Sequence, residues 1–591
     1  MGMGKLQSTF FVFLLYFLQC QIVLGDVMAA QREFHGNLKI GTTDQITDKY
    51  LCFIRKNQRE NTDLDRKIGD LVGPMVPLAA PRALSFHWIK SSSLGKYAFT
   101  IEALPTSSKL HRMEQTSIGQ RLLSSCNRIK SDLRTIRAGY EDGTWVHVGP
   151  NKTYERSGEE RPIYVKKPKL SSDYTAFFRK VLGFLKMPFS DYTSRILATV
   201  PLEVRKTSGL QVDLQALSQP PGTTASDLGN KFWNFKYSGQ GQIVYALDGG
   251  FHISHKETCT INIEKMIFPG ALPADDGFTA ATLTDVDHGT AIAAKIAGQT
   301  VGIATNATLV LGRVNDGSGV CDYSTLLELF LKVYDDILAR GPKQNCVVSL
   351  SYLTFIPAPD APIDMTLNLY HVGIKDQSAY SWFHRIAKDA MDDVIDRIIH
   401  LPNTFFVVAS GNEPQDVPVN AYPATLGEIY SGVNPRFIVV GGYSPNVGIN
   451  LFQTAPYVSV MAPAGSVNVP ARWSNGQLEE AKHYPWTKTA FHKKHQLGFS
   501  MGTSYASPVV AGMIAAWLSI GIKVKDIVPL MEKLAYPRVK RGPKAVYNGV
   551  PISRWPKTQV PAWYKDKKGT PPPPATLDTD ITEQVDVLAE L

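Results

Sequence analysis

Apolar residues gather along this chain into short unbroken runs separated by longer mixed stretches. "GQIVYALDGG" (241–250), "ATLVLGRVN" (307–315), "NCVVSLSY" (345–352), "NTFFVVASGN" (403–412) and "PRFIVVGGY" (435–443) are each mainly apolar and end on Gly, Asp, Asn, Ser or a neighbouring turn residue. Helix candidates lie between them, at 323–339 and 381–399. Strands that are apolar throughout, alternating with helices, predict an α/β fold with a mostly parallel central sheet covered by helices on both faces. In such sheets function gathers at the carboxyl ends of the strands.

The flanking regions have a different texture. Residues 26–206 mix charged, helix-like stretches such as 120–138 with the strand candidates "KYLCFIRK" (49–56) and "KYAFTIEAL" (96–104), an α+β pattern with no convergent set of catalytic residues. Around Arg205-Lys206 and then "SQPPGTTASD" (218–227) the composition turns linker-like, with Pro220-Pro221-Gly222 as breakers. After about Tyr536 the chain becomes basic up to Lys568, then passes through a proline run at 571–574 into an acidic tail, which reads as solvated.

Two further runs raise the question of membranes. Lys5 precedes "FFVFLLYFL" (10–18), and Val23 and Gly25 suit the −3 and −1 positions of a signal-peptidase site, so residues 1–25 read as a signal peptide and the protein as secreted. The uncharged stretch 496–522 contains Pro508 and several glycines, which fits a buried helix better than a span, and no stable membrane anchor is expected. The expected layout is therefore 1–25 signal, 26–206 N-terminal region, 207–537 α/β domain and 538–591 tail.

Composition narrows the function classes. A chain of 591 residues with 44% hydrophobic and 19% charged residues is globular and too long for one core. The net charge of +9 is scattered, which argues against a nucleic-acid partner. Asn151 and Asn306 open acceptor sequons for glycosylation. Among the cysteines, Cys20 falls in the signal, Cys52 and Cys126 in the N-terminal region, and Cys259, Cys321 and Cys346 in the α/β region, where one disulfide and one buried thiol are expected. No zinc-finger spacing occurs. Asp285 and Asp287 beside His288 lack any further ligand cluster.

The candidate chemistry lies in "LGFSMGTSYASPVVAGM" (497–513), which offers two serines. Residues 498–502 fit the G-x-S-x-G elbow of α/β-hydrolases, with Ser500 as nucleophile, but that fold requires the histidine to follow the serine. All 13 histidines precede Ser500, so the elbow reading fails. Ser504 instead needs an Asp, His, Ser order. Asp248 ends the apolar run 243–247, and His288 stands near the front of "DHGTAIAAKIAG", at the start of a helix-like run of small residues.

With Asp248, His288 and Ser504 each in its own local pattern, and "GTSYASPVVAG" (502–512) matching throughout, the chain resembles the subtilisin-like serine proteases over roughly 229–537. The resemblance implies that Ser504 attacks a peptide carbonyl, His288 takes its proton and Asp248 orients the imidazole. It further implies that Asn412 and the Ser504 amide form the oxyanion hole. Substrate strands run in the family beside segments matching Ser349, Leu350 and Ser351 and Ala409, Ser410 and Gly411, and the segment after the signal commonly serves as an inhibitory, folding-assisting propeptide. The implied partners are protein or peptide substrates and the chain's own propeptide. No cofactor is required; calcium supports many members, but no ligand set can be placed. His255 corresponds to a structural loop residue of the family, and His252 is not expected to be the base.

Three departures stand out. Gly249 replaces the family's usual Ser, Thr or second Asp, Ala294 replaces the usual small Gly or Ser of the His block, and Ser351-Tyr352 follow the Ser349-Leu350 pair where many relatives have Gly. The expected activity is a secreted serine endopeptidase; the alternative raised by Gly249 is a catalytically weak or inactive subtilisin-like binding protein. An exopeptidase of the sedolisin type is disfavoured because those enzymes usually carry a glutamate where His288 stands.

Overall fold

The computed structural model describes residues 49–53, 84–103, 147–150, 191–207, 212–223, 225–251, 253, 255–268, 283–314, 323–351, 354–355, 377–445, 448–465, 467–471, 496–539, 542–558, 560 and 564. The signal-like run, the helix-like stretch 120–138, Asn151, His252, Asp316 to Gly319, Cys321 and Tyr352 lie outside them.

Four strands make an N-terminal antiparallel sheet: β1 (Lys49–Phe53), β2 (Leu84–Ser91), β3 (Gly95–Ala103) and β4 (His147–Pro150), in the order β2-β3-β1-β4. Helix α1 (Asp191–Thr199), strand β5 (Leu202–Lys206), helix α2 (Val212–Leu217) and strand β6 (Lys231–Phe235) follow, with β5 antiparallel to β6. The five apolar runs become β7 (Ile243–Asp248), β9 (Thr308–Arg313), β10 (Cys346–Leu350), β12 (Thr404–Ala409) and β14 (Phe437–Ser444) of one sheet. Strands β8 (Asn262–Ile267), β15 (Ile449–Asn450) and β16 (Val460–Pro463) complete it in the order β15-β14-β12-β10-β7-β9-β8, with β16 also on β14. Every pairing in it is parallel except β14 with β15. Two minor ladders join β11 (Thr354–Phe355) to β13 (Ala421–Tyr422), and β17 (Val467–Ala471) to β18 (Gln496–Ser500).

Because side chains alternate across a strand, each apolar run feeds two cores. On one face Val244, Ala246, Val347 and Val407 pack with Ile292 and Ile296 of helix α3 (Leu283–Ala297) and with Val510 and Met513 of helix α6 (Thr503–Ser519). On the other face Tyr245, Leu247, Val348 and Phe406 pack with Phe330 and Val333 of α4 (Tyr323–Arg340) and with Met391 and Ile395 of α5 (Gln377–His400). Helices on both faces are what all-apolar strands require. The uncharged stretch 496–522 forms β18 and the buried helix α6, and no helix among the described residues is long and apolar enough to cross a membrane.

The hairpin β2–β3 sits on α4 and α5 through side chains that meet carboxylates. Ser91 Oγ donates to Asp335 at 2.7 Å, Tyr97 Oη donates to Asp393 at 2.7 Å, and His87 lies 2.9 Å from Glu328. Burial raises the affinity of Glu328 for a proton, but hydrogen bonds from His87 and Lys332 outweigh it and hold this carboxyl below its ordinary value.

The sequence-drawn limits at 206 and 537 both fall within packed structure. The linker-like 218–227 is not free chain: Ser218 and Thr223 are buried, and the Gln219 carbonyl accepts hydrogen bonds from Tyr536 Oη at 2.6 Å and Arg538 at 2.8 Å. Past 537, Val546, Val550 and Trp555 are buried, Trp555 stacks on Trp233 at 5.3 Å, and Trp517 Nε1 donates to the Asn548 carbonyl at 2.9 Å. Prolines and charges there mark turns and a rim, and burial depends on partners distant in sequence. Cys259 and Cys346 are free thiols, so no disulfide joins them; burial pushes the Cys346 thiol up to about 12.

Candidate active site

Asp248, His288, Asn412 and Ser504 arrive from different elements at the carboxyl ends of β7, β10 and β12. Asp248 is the last residue of β7 and is almost wholly buried. Its Oδ1 accepts hydrogen bonds from the Gly249 backbone N–H at 2.8 Å and from His288 Nδ1 at 2.8 Å, and its Oδ2 lies 3.0 Å from the same nitrogen. A carboxylate so placed puts the proton on Nδ1 and leaves Nε2 as the basic nitrogen. Gly249 thus contacts the carboxylate through its backbone N–H alone.

Helix α3 begins at Leu283, so His288 lies within the helix instead of at its start. The next residue explains how the imidazole reaches β7. A Cβ at Gly289 would stand 2.0 Å from the Gly250 carbonyl oxygen and 3.2 Å from the Asp248 Cβ, so only glycine lets the helix approach the strand end this closely.

Ser504 occupies the first turn of α6, where backbone N–H groups lack intrahelical acceptors. Its Oγ is 3.2 Å from the Ser351 carbonyl, and its own carbonyl accepts the Ser351 hydroxyl at 2.8 Å. Pro508 accounts for the second bond. Lacking an N–H, it cannot donate to the carbonyl four residues back, and Ser351 satisfies the acceptor so freed. Tyr505 turns its ring toward the imidazole, with centroids 5.5 Å apart. Ser500, by contrast, ends β18, where it pairs with Val467 in the two-stranded ladder before the turn into α6.

Asn412 is oriented by Thr503. Its Oδ1 accepts from the Thr503 backbone N–H at 2.8 Å and from Thr503 Oγ1 at 2.9 Å. Since a backbone N–H can only donate, the carbonyl side of the amide must face the helix, and Nδ2 is turned the other way with its donors available. Gly502, at φ +147°, makes this approach possible: a Cβ there would stand 3.3 Å from Asn412 Nδ2. Thr503 also receives the Gly411 N–H at 3.1 Å. The serine motif already contained Thr503, but nothing in its spacing revealed that it fixes an asparagine 91 residues away.

The residues expected beside substrate divide by depth. Ser349, Leu350 and Ala409 are wholly buried inside paired strands, so their side chains line no open groove. Ser351 and Gly411 lie at the strand ends, Ser351 in contact with Ser504 and Gly411 with Thr503. Ser410 is buried, and its carbonyl accepts from Gln453 at 3.0 Å. His255 is buried in its loop with Nδ1 accepting the Glu257 N–H at 3.1 Å. Asn306 is exposed on the turn before β9. Among the described residues no group of three or more His, Cys, Asp or Glu is placed to hold a metal ion.

Residues 239–523 match the model of the subtilase family of peptidases, family S8. A cuticle-degrading serine protease of Arthrobotrys oligospora is 27% identical over 326 residues, which is 53% of this chain and 62% of that protein. Subtilisin-like protease 2 of Trichophyton rubrum is 25% identical over 337 residues, 55% of this chain and 62% of that one. The chain thus spans under two thirds of the length of these relatives. A cold-adapted subtilisin-like serine proteinase of known structure aligns at 18% identity over 58% of this chain and 98% of its own, with a TM-score of 0.39. Residues 239–523 thus form a domain of the subtilase family, and Asp248, His288, Asn412 and Ser504 all lie within it.

Proposed function

We propose that this protein is a secreted serine endopeptidase made as a precursor, with Ser504, His288 and Asp248 as its catalytic triad. The observation that carries the reading is the double contact of buried Asp248 with His288 Nδ1, at 2.8 and 3.0 Å, with the ring of Tyr505, the residue after Ser504, 5.5 Å from the imidazole. Ser504 Oγ attacks the substrate carbonyl carbon while its proton passes to His288 Nε2. The resulting imidazolium, held by Asp248, gives that proton to the departing amine as the peptide C–N bond breaks. Water, deprotonated by the same imidazole, then attacks the acyl-enzyme and releases Ser504. Substrate protein extends beside the ends of β10 and β12, near Ser351, Ser410 and Gly411. The chemistry calls for no cofactor, and glycans at Asn151 and Asn306 accord with passage through the secretory route.

The developing oxyanion falls to Asn412 Nδ2 and the Ser504 N–H. Asn412→Ala removes the side-chain donor and is expected to lower kcat by about 10²–10³-fold with KM little changed, measured on a peptide ester or amide. A loss confined to KM would assign Asn412 to substrate binding instead.

The N-terminal sheet, seated on α4 and α5, supports the reading of the region before the protease body as a folding aid and inhibitor removed at maturation. The rival reading, an inactive binding protein, is weakened because Asp248, with glycine beside it, is still buried and still holds His288 Nδ1 at 2.8 and 3.0 Å. Purified, matured protein should be labelled by a fluorophosphonate probe and should cut casein into internal fragments. Absence of both would favour the inactive protein, and release of only short terminal peptides would favour an exopeptidase.

A further inference from the structure

The dibasic Arg205-Lys206 stands where composition puts the end of the N-terminal region, and it has the look of an exposed processing site. The structure uses these residues otherwise. Strand β5 is paired along its length with β6, from Leu202 opposite Phe235 to Lys206 opposite Lys231. The ladder is extended at both ends by backbone bonds, Lys236 N–H to the Pro201 carbonyl at 2.8 Å and Thr207 N–H to the Asn230 carbonyl at 2.8 Å. A protease binds its substrate as an extended strand, and this one is already bonded along an edge.

The side chain of Arg205 is committed as well. Its guanidinium lies over the Phe232 ring at 4.8 Å and donates to the Gly302 carbonyl at 2.6 Å, in the turn that follows α3, the helix carrying His288. Burial lowers its pKa to about 10. Further along, Asp213 of α2 forms an ion pair with Lys295 of α3, and both side chains are buried. The remainder of the segment is bound to the far end of the chain and to the core. Arg554 donates to the Leu197 carbonyl at 3.1 Å, Asn548 N–H donates to the Leu217 carbonyl at 2.9 Å, and Leu197, Leu214 and Leu217 belong to the core cluster that includes α3 and α6.

We infer that residues 191–217 are a retained part of the protease body, holding the rear of the His288 helix, and that the maturation cut falls before Asp191 and not at Arg205-Lys206. This rests on the proposal that the chain is a protease matured by cleavage, but the retention of the segment can be tested without it. Removing residues up to 206 would strip β6 of its partner and α3 of the Arg205 contact, and would leave the buried Asp213–Lys295 pair at a frayed terminus.

The test uses the full chain as Ser504→Ala, which cannot process itself, under limited trypsin digestion followed by intact-mass analysis. The expected resistant core retains residues 191–206, with the bonds after Arg205 and Lys206 cut only as the core itself is lost. Arg205→Ala should speed cleavage after Lys206 by about tenfold or more through local opening of β5, and Arg205→Lys should recover part of the protection. Should Arg205→Ala fail to fold, the parent digest still decides. A stable core beginning at 206 or 207 would overturn the inference. In the wild type, the first residue of the fluorophosphonate-labelled species is expected before Asp191, and a labelled species starting at 206 or later would overturn it too. Failure of all labelling would sink the protease reading while leaving the trypsin result to decide retention.

Discussion

Ser504→Ala is expected to abolish fluorophosphonate labelling and to lower kcat by about 10⁶-fold, while Ser500→Ala keeps both near the wild-type level. The magnitude follows from removing the nucleophile of a unit whose members act together, so that what is left comes from the oxyanion donors and binding alone. The contrast between the two serines follows from their positions. Ser504 lies in the first turn of α6, beside the Tyr505 ring that faces His288, whereas Ser500 is paired with Val467 at the end of a separate ladder. Probe labelling and turnover of a chromogenic peptide, with thermal midpoints as the folding control, measure it. Labelling lost in Ser500→Ala and kept in Ser504→Ala would reverse the assignment.

Asp248→Asn should lower kcat by about 10⁴-fold without a comparable loss of stability. The Gly249 N–H supplies the reason. It can bond only to an acceptor, so it holds the asparagine oxygen in the place of Oδ1 and puts the amide nitrogen in the place of Oδ2, 3.0 Å from His288 Nδ1. That nitrogen donates and so competes with the 2.8 Å bond from Nδ1 to the oxygen, favouring the tautomer with the ring proton on Nε2, the atom that has to receive the proton of Ser504, and the charge that supports the imidazolium is lost. Probe-labelling rate and thermal midpoint, measured side by side, separate this from unfolding. An unchanged labelling rate would mean that Asp248 does not set the tautomer and would revive the inactive-protein reading that Gly249 raised.

Much of this architecture was legible in the residue pattern. Each of the five apolar runs became a central strand because a run apolar on both faces has no stable place except between two layers of helices. The proposed choice of Ser504 over Ser500 rests on the order of the histidines, since the order of triad members is fixed by topology. The site was less legible in its supports. Thr503 fixing Asn412, Ser351 capping the carbonyl freed by Pro508, and Gly289 admitting α3 to the end of β7 join residues far apart in the chain. No local pattern encodes them.

Packing across the expected domain limits was the least legible, and for the same reason. Composition at 205–227 and beyond 537 reports turns, prolines and charge, all of them local properties. Leu217 and Trp555 meet partners that return from hundreds of residues away, and Arg205 is held by Phe232 and Gly302. The sequence by itself determined the strands, their two-sided burial and the order of the chemically active residues, because these follow from short-range periodicity and chain order. Only the tertiary structure decided which hydrogen bonds orient those residues and which distant segments pack together, because close approach and partner choice are properties of space and not of position along the chain.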